Sequence, residues 1–266
     1  MRMLTHLFGA GLALLVAGPT ASAIEIPGLY TGRAIITGTQ DPELTRGLRA
    51  ALEDVVIKLT GDARPETRPL YAPILEQPRA FLDDMTLEDR MKGIPVHDEQ
   101  GTRERPHVLT ATFASGPLEA AITGAGLDVW ALDRPLVAVW LGVDTGTGRF
   151  VITEDGTEGY GQRLALMDTA ERRGLPVRLP RQAEAAAVPF RELLRRDAAS
   201  LALPGADAIL SGVLTLTEGG YWNIEWTLAH ADQADVLAVE DVSFDVAIRQ
   251  GIEGMALQLS GDAAAR

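Results

Sequence analysis

Residues Leu136 to Val143 read LVAVWLGV, an unbroken apolar run set between Pro135 and the polar, glycine-containing stretch Asp144 to Arg149. The run is too short to be a membrane span. It also lacks the polar alternation of a strand with one wet face, so it predicts a strand buried on both sides, inside a sheet covered by helices. Downstream, a helix is expected from about Glu158, with Tyr160, Leu164, Met167 and Ala170 on its inner side, Arg172 and Arg173 in its last turn and Gly174 as its stop. Leu175 to Leu179 then reads as a short second strand. Pro189 opens a further helix whose inner face would be Phe190, Leu193, Leu194, Ala198 and Leu201. Strand and helix alternating in this order imply parallel pairing.

After Asp207 the apolar period shortens to that of strands. Leu210, Leu214 and Leu216 share a face, and Trp222, Ile224, Trp226 and Leu228 alternate with Tyr221, Asn223, Glu225 and Thr227. Gly219-Gly220 between the two runs predicts a hairpin. Val236 to Val242 adds one more strand, and Phe244, Ile248, Ile252, Met255 and Leu259 mark the inner face of a closing helix. The second half, residues 127–266, is therefore expected to be α/β with a mixed sheet, in the order βαβαβββα. Its core would hold Val137, Val139, Leu164, Met167, Leu194, Leu210, Leu214, Ile224, Trp226 and Leu259.

Upstream lies a smaller α+β half, residues 24–126, with the seam expected between Gly126 and Pro135. Leu29 to Gly38 reads as a strand. Asp41-Pro42 supplies a cap and a first helical residue for a helix carrying Leu44, Leu48, Leu52, Val55, Val56 and Leu59, which Gly61 ends. Pro65, Pro69 and Pro73 make the next stretch mostly loop, with a short helix expected over Pro78 to Met85. Glu99 to Pro106 is a charged loop, His107 to Phe113 a strand, and Ser115 the cap of a helix running from Gly116 to Thr123.

The first 23 residues read differently. Arg2 and His6 precede an apolar run from Leu7 to Ala17, then Gly18-Pro19, then Ala21-Ser22-Ala23, which is the pattern of a secretory signal peptide cleaved after Ala23. The run is about half the length a membrane-spanning helix needs. The expected location is the periplasm, as a soluble chain without a transmembrane helix. Loss of Arg2 would take the formal net charge from −13 to −14. That acidity argues against a nucleic-acid partner, because tracking phosphates requires a basic face. The sequence has no cysteine, which excludes disulfides, thiol catalysis and cysteine-based metal sites.

Few residues carry a chemical signature. His97, His107 and His230 are scattered, with no ligand or nucleophile at motif spacing. Neither Ser115 nor Ser211 sits in a G-x-S-x-G elbow. Gly146-Thr147-Gly148-Arg149 lacks the lysine and further glycine of a phosphate loop, and Gly124-Ala125-Gly126 follows a helix where a dinucleotide site would follow a strand. Both read as turns. The acidic groups Asp83-Asp84 with Glu88-Asp89, and Glu154-Asp155 with Glu158, lack the spacing of a calcium loop and read as solvated faces. Trp222 and Trp226 either close the core or present an aromatic platform to a ligand, and with His107 and His230 they are the candidate ligand or surface residues. No cofactor and no metal is expected.

Several strings in combination carry a family resemblance. WALDRPLVAVWL from Trp130, AERRGLPVRLP from Ala170, GADAILSGVL from Gly205, the Trp222 and Trp226 pair, and ALEDVVIKLTG from Ala51 to Gly61 resemble the DUF2066 family of bacterial exported proteins. The resemblance implies an envelope-associated protein of undefined activity and supplies no catalytic residues. Where that pattern has aspartates, this chain has Arg181-Gln182-Ala183-Glu184, so an acidic pair there would be lost. The expectation is a non-catalytic module that binds an envelope protein or the cell wall. The alternative is a hydrolase or other small-molecule enzyme whose site is gathered from distant residues, such as His107 or His230 with acids from the two groups.

Overall fold

The computed structural model describes residues 26–94, 97–98, 101–102, 104–130, 132–195 and 198–261. The expected signal peptide and its cleavage point lie outside them. The first half runs β1 (Thr31–Thr37), α1 (Glu43–Thr60), two 3-10 turns, α2 (Ala72–Leu75), α3 (Pro78–Phe81), β2 (Leu82–Asp89), β3 (His97–Asp98), β4 (Gly101–Thr102), β5 (Pro106–Phe113) and α4 (Ser115–Gly124). The second runs β6 (Val137–Asp144), β7 (Arg149–Val151), α5 (Tyr160–Arg172), β8 (Val177–Arg178), α6 (Gln182–Ala187), α7 (Phe190–Leu193), a 3-10 turn at Ala198–Leu201, β9 (Ala208–Leu216), β10 (Trp222–His230), β11 (Gln233–Val242) and α8 (Phe244–Ser260). The fold is α/β, with a three-stranded antiparallel sheet in the order β1-β5-β2 and a six-stranded mixed sheet in the order β11-β10-β9-β6-β7, its sixth strand, β8, also pairing with β6.

β6 lies inside the larger sheet. β9 pairs with it in parallel along its whole length, and on its other flank β8 pairs in parallel with Val137 and Ala138 while β7 pairs antiparallel with Gly142 to Asp144. Both faces are covered. Val137, Val139, Leu141 and Val143 pack with Leu166 and Ala170 of α5 and with the Ile248, Ile252 and Met255 face of α8. Ala138 and Trp140 meet Leu193 and Leu201 on the other side, where the Trp140 indole donates to the Leu201 carbonyl at 2.7 Å. In the first half, Leu48, Leu52, Val55, Val56 and Leu59 of α1 pack over Ile36 and Leu109. Gly61 ends α1 in the left-handed conformation, φ 74°, its N–H bonded to the Ile57 carbonyl.

Several expectations are corrected. Only Pro78–Phe81 is helical in the stretch read as a helix to Met85; Leu82–Asp89 is an edge strand, paired with β5 in continuous register from Asp84 to Asp89 after a shift at Asp83. The partner strand supplies the order that this acidic segment lacks by itself. On α5, Leu164 and Met167 face solvent, at 51% and 43% exposure, whereas Leu166 is fully buried. The Leu166 and Ala170 face is the one that meets α8, and it also carries Arg173 inward to the end of α1. Leu194 is exposed as well, because the helix from Pro189 ends at Leu193 and a separate turn delivers Leu201 to the Trp140 layer. Ser115 is the first residue of α4 and makes no cap bond, the cap position being Ala114. Asp41 lies one residue before the cap position of α1 and accepts a hydrogen bond from the Thr45 hydroxyl at 2.7 Å.

Apolar residues up to Val129 join the core of the first half, and those from Trp130 onward join the second. The two are fastened at the C-terminus of α1, where the last carbonyls of a helix lack partners and carry partial negative charge. Trp130 N–H bonds the Leu59 carbonyl, Arg134 donates to the carbonyls of Lys58 (2.7 Å) and Gly174 (2.5 Å), and Arg173 donates to that of Gly61 (2.7 Å). Arg134 also lies 3.9 Å from the Trp130 ring centroid.

Candidate functional site

The four residues singled out in sequence are not brought together. Trp226 is fully buried and donates its indole N–H to the Ala247 carbonyl at 2.9 Å, while Trp222 is partly buried at the margin of the same core. His107 sits in β5 of the small sheet, its Nδ1 2.9 Å from the Arg105 carbonyl oxygen. His230 closes β10 of the large sheet, opposite Gln233. Among the described residues, no group of three or more His, Asp or Glu side chains is placed to hold a metal ion.

Two surfaces stand apart from these residues. The first is a cleft of about 430 Å³ between β1, α1 and α5, across the seam. Lys58 is buried there, donating to the Thr31 carbonyl at 2.7 Å and lying 3.4 Å from Asp54, which in turn faces Arg172 at 3.7 Å. Arg33 pairs with Glu171 at 3.4 Å. These cations and carboxylates satisfy one another, so the cleft works as a charged fastening between the halves. The strongly shifted groups close to it are also accounted for. Burial pulls Arg134 down to about 10, offset in part by Tyr30, and burial together with hydrogen bonding to Glu119 pushes Tyr30 up to about 12. Each is engaged by the protein itself, through the helix carbonyls and the Glu119 carboxylate.

The second surface is the open end of the large sheet. β11 is its terminal strand, paired on one side with β10, and no described strand pairs its other side. α8 covers one face of this end, over Leu237 and Val239. On the opposite face α7 reaches only part of the way, which leaves a groove of about 290 Å³ between Leu193, Leu194 and the strand residues Val213, Thr215, Glu225, Ala238 and Glu240. Val236 is 52% exposed beside it, and most of β11 is exposed. The charge of strands β9 to β11 has one sign. From Ala208 to Val242 there is no lysine or arginine but six carboxylates: Glu218, Glu225, Asp232, Asp235, Glu240 and Asp241. Asp241 has positive φ, 52°, at a break in the β10–β11 register, so regular pairing covers Gln233 to Val239. The charge bias was readable in the sequence. The open edge was not, because strand order in a sheet is a tertiary property.

Comparison with known proteins corrects the family resemblance. The model of a domain of unknown function, DUF8605, matches residues 23–131. This is a different family from DUF2066, and it lies over the first half, whereas most of the strings that suggested DUF2066 lie in the second. Short strings around buried strands are constrained by packing, so their recurrence does not by itself mark a family. No curated protein matches the sequence. Among solved structures, the prolyl-tRNA synthetase of Cryptosporidium parvum complexed with halofuginone and AMPPNP is similar at 10% identity and a TM-score of 0.25, over 64% of this chain and 32% of that one. This chain thus spans about a third of the synthetase's length, and a likeness at that level carries no argument about fold or function.

Proposed function

We propose that this is an exported, periplasmic and non-catalytic binding module that captures an extended, basic segment of an envelope partner along β11. The observation that carries this reading is the outer side of β11 over Gln233 to Val239, which no described strand pairs. A row of free backbone donors and acceptors is a template for strand addition, and the neighbouring groove offers room for alternate side chains. The carboxylates of Asp235 and Glu240, with no base in the three strands, favour arginine or lysine in the bound segment. No described helix is long and apolar enough to cross a membrane.

The test is site-specific photocrosslinking in the periplasm, with the probe at Val236 and, as a comparison, at Ile35 in the seam cleft. A defined envelope protein captured from Val236, and lost when Asp235 and Glu240 are changed to lysine, is the expected result. Capture from Ile35 alone, or a Val236 adduct indifferent to the charge reversal, would overturn the reading.

A further inference from the structure

Arg173 is 4% exposed and uses one nitrogen, Nη2, on the Gly61 carbonyl at 2.7 Å, and among the described residues Nε and Nη1 have no hydrogen-bond partner. Buried guanidinium N–H groups without acceptors are costly and rare, and they point to an acceptor that the described residues do not supply. The side chain lines a cavity of about 290 Å³ between α5 and α8 that also holds Arg172, Arg249, Asp168, Asp245 and Glu253. Among the described residues none of these three arginines forms an ion pair with Asp168, Asp245 or Glu253; Arg172 reaches Asp54 instead, and Asp245 accepts from the Ser243 hydroxyl. The cavity therefore holds cations and anions that do not cancel by direct contact. Glu253 and Asp62 act on Arg173 only through their charge, against the larger effect of burial, which lowers its pKa.

Volume and charge together select the ligand. About 290 Å³ lies at the lower limit for small-molecule sites, which suits a molecule of amino-acid or dipeptide size. A phosphate or sulfate would gain from the arginines but meet three carboxylates, whereas a ligand with a carboxylate at one end and an ammonium at the other is favoured by both sets. We propose that the cavity between α5 and α8 is a binding site for a zwitterion, an amino acid or short peptide, with its carboxylate on Arg173 and Arg249 and its ammonium toward Glu253, Asp245 and Asp168. This inference is independent of the β11 edge.

Calorimetric titration of the full chain with L-alanine and L-alanyl-L-alanine tests it, with the N-acetyl and amide forms of each as single-charge controls and sulfate as the anion control. Saturable binding of at least one zwitterion is expected, with both of its capped forms weaker by about tenfold or more. Arg249→Ala and Glu253→Gln, which leave the Arg173 bond to Gly61 in place, should each weaken it about fivefold or more, and Glu76→Gln, at an exposed position after α2 in the first half, should leave it unchanged. Should Glu253→Gln fail to fold, Asp245→Asn serves in its place. No binding of either zwitterion up to about 20 mM, capped forms that bind equally well, cavity variants without effect, or sulfate binding more tightly than both would overturn the proposal.

Discussion

At the scale of single residues, Gly251 and Trp226 show tertiary contact overriding local preference. Alanine is the better helix former by about 1 kcal/mol. Yet a Cβ at Gly251 would lie 2.4 Å from the Trp226 ring, which is fully buried and held by its bond to Ala247. Gly251→Ala is expected to destabilise the protein by about 1–3 kcal/mol in urea unfolding, and Trp226→Ala by about 3–5 kcal/mol. The double variant should lose less than the sum, since the clash disappears with the ring. Tyr30 gives a pH-dependent counterpart. Its folded pKa, about 12, lies above the ordinary 10.0, so the folded state holds the phenolic proton more tightly. The stability it contributes is complete below pH 10 and is lost as pH rises from 10 toward 12. Tyrosinate absorbance should show a phenol with a midpoint near 12 that disappears in Tyr30→Phe.

At the scale of elements, α5 separates what periodicity suggests from what packing selects. Its sequence carries apolar residues on two adjoining faces, Tyr160, Leu164 and Met167 on one and Leu166 and Ala170 on the other, and α8 covers the second. Leu166→Ala is expected to cost about 2–5 kcal/mol and Leu164→Ala no more than about 0.5 kcal/mol, a contrast that thermal unfolding resolves. The start of α6 supplies a test in acid. Glu184 accepts the Arg181 backbone N–H at 2.8 Å and pairs with Arg178 at 2.6 Å, which hold its carboxyl below the ordinary 4.5. A lowered pKa means stability that is present above 4.5 and lost as pH falls through the folded value. The difference in melting temperature between the native protein and Glu184→Gln should therefore be largest near pH 7 and shrink toward pH 3.

At the scale of the whole molecule, polar groups on the carbonyl end of α1 join the two halves. Arg134→Ala would leave the carbonyls of Lys58 and Gly174 without that donor in a buried place, against some relief from no longer burying a charge. A net loss of about 1–3 kcal/mol is expected, with faster amide exchange at Trp130 and at the last turn of α1; lysine, which cannot reach two carbonyls with a planar fork, should restore little of it. The sequence by itself determined the elements whose signals are local: α1 from its apolar period to its glycine stop, the doubly buried strand at β6, the hairpin of β9 and β10, and the face of α8. It also displayed the absence of bases from Ala208 to Val242. Only the tertiary structure decided that Leu82–Asp89 is a strand, that α5 buries Leu166 and exposes Leu164, that Arg134 and Arg173 are internal, and that β11 is left open at the edge. Each of these depends on a partner distant in the chain, a strand to pair with, a helix to cover a face or a carbonyl to receive a guanidinium, and such a choice leaves no periodic trace in the residues that make it.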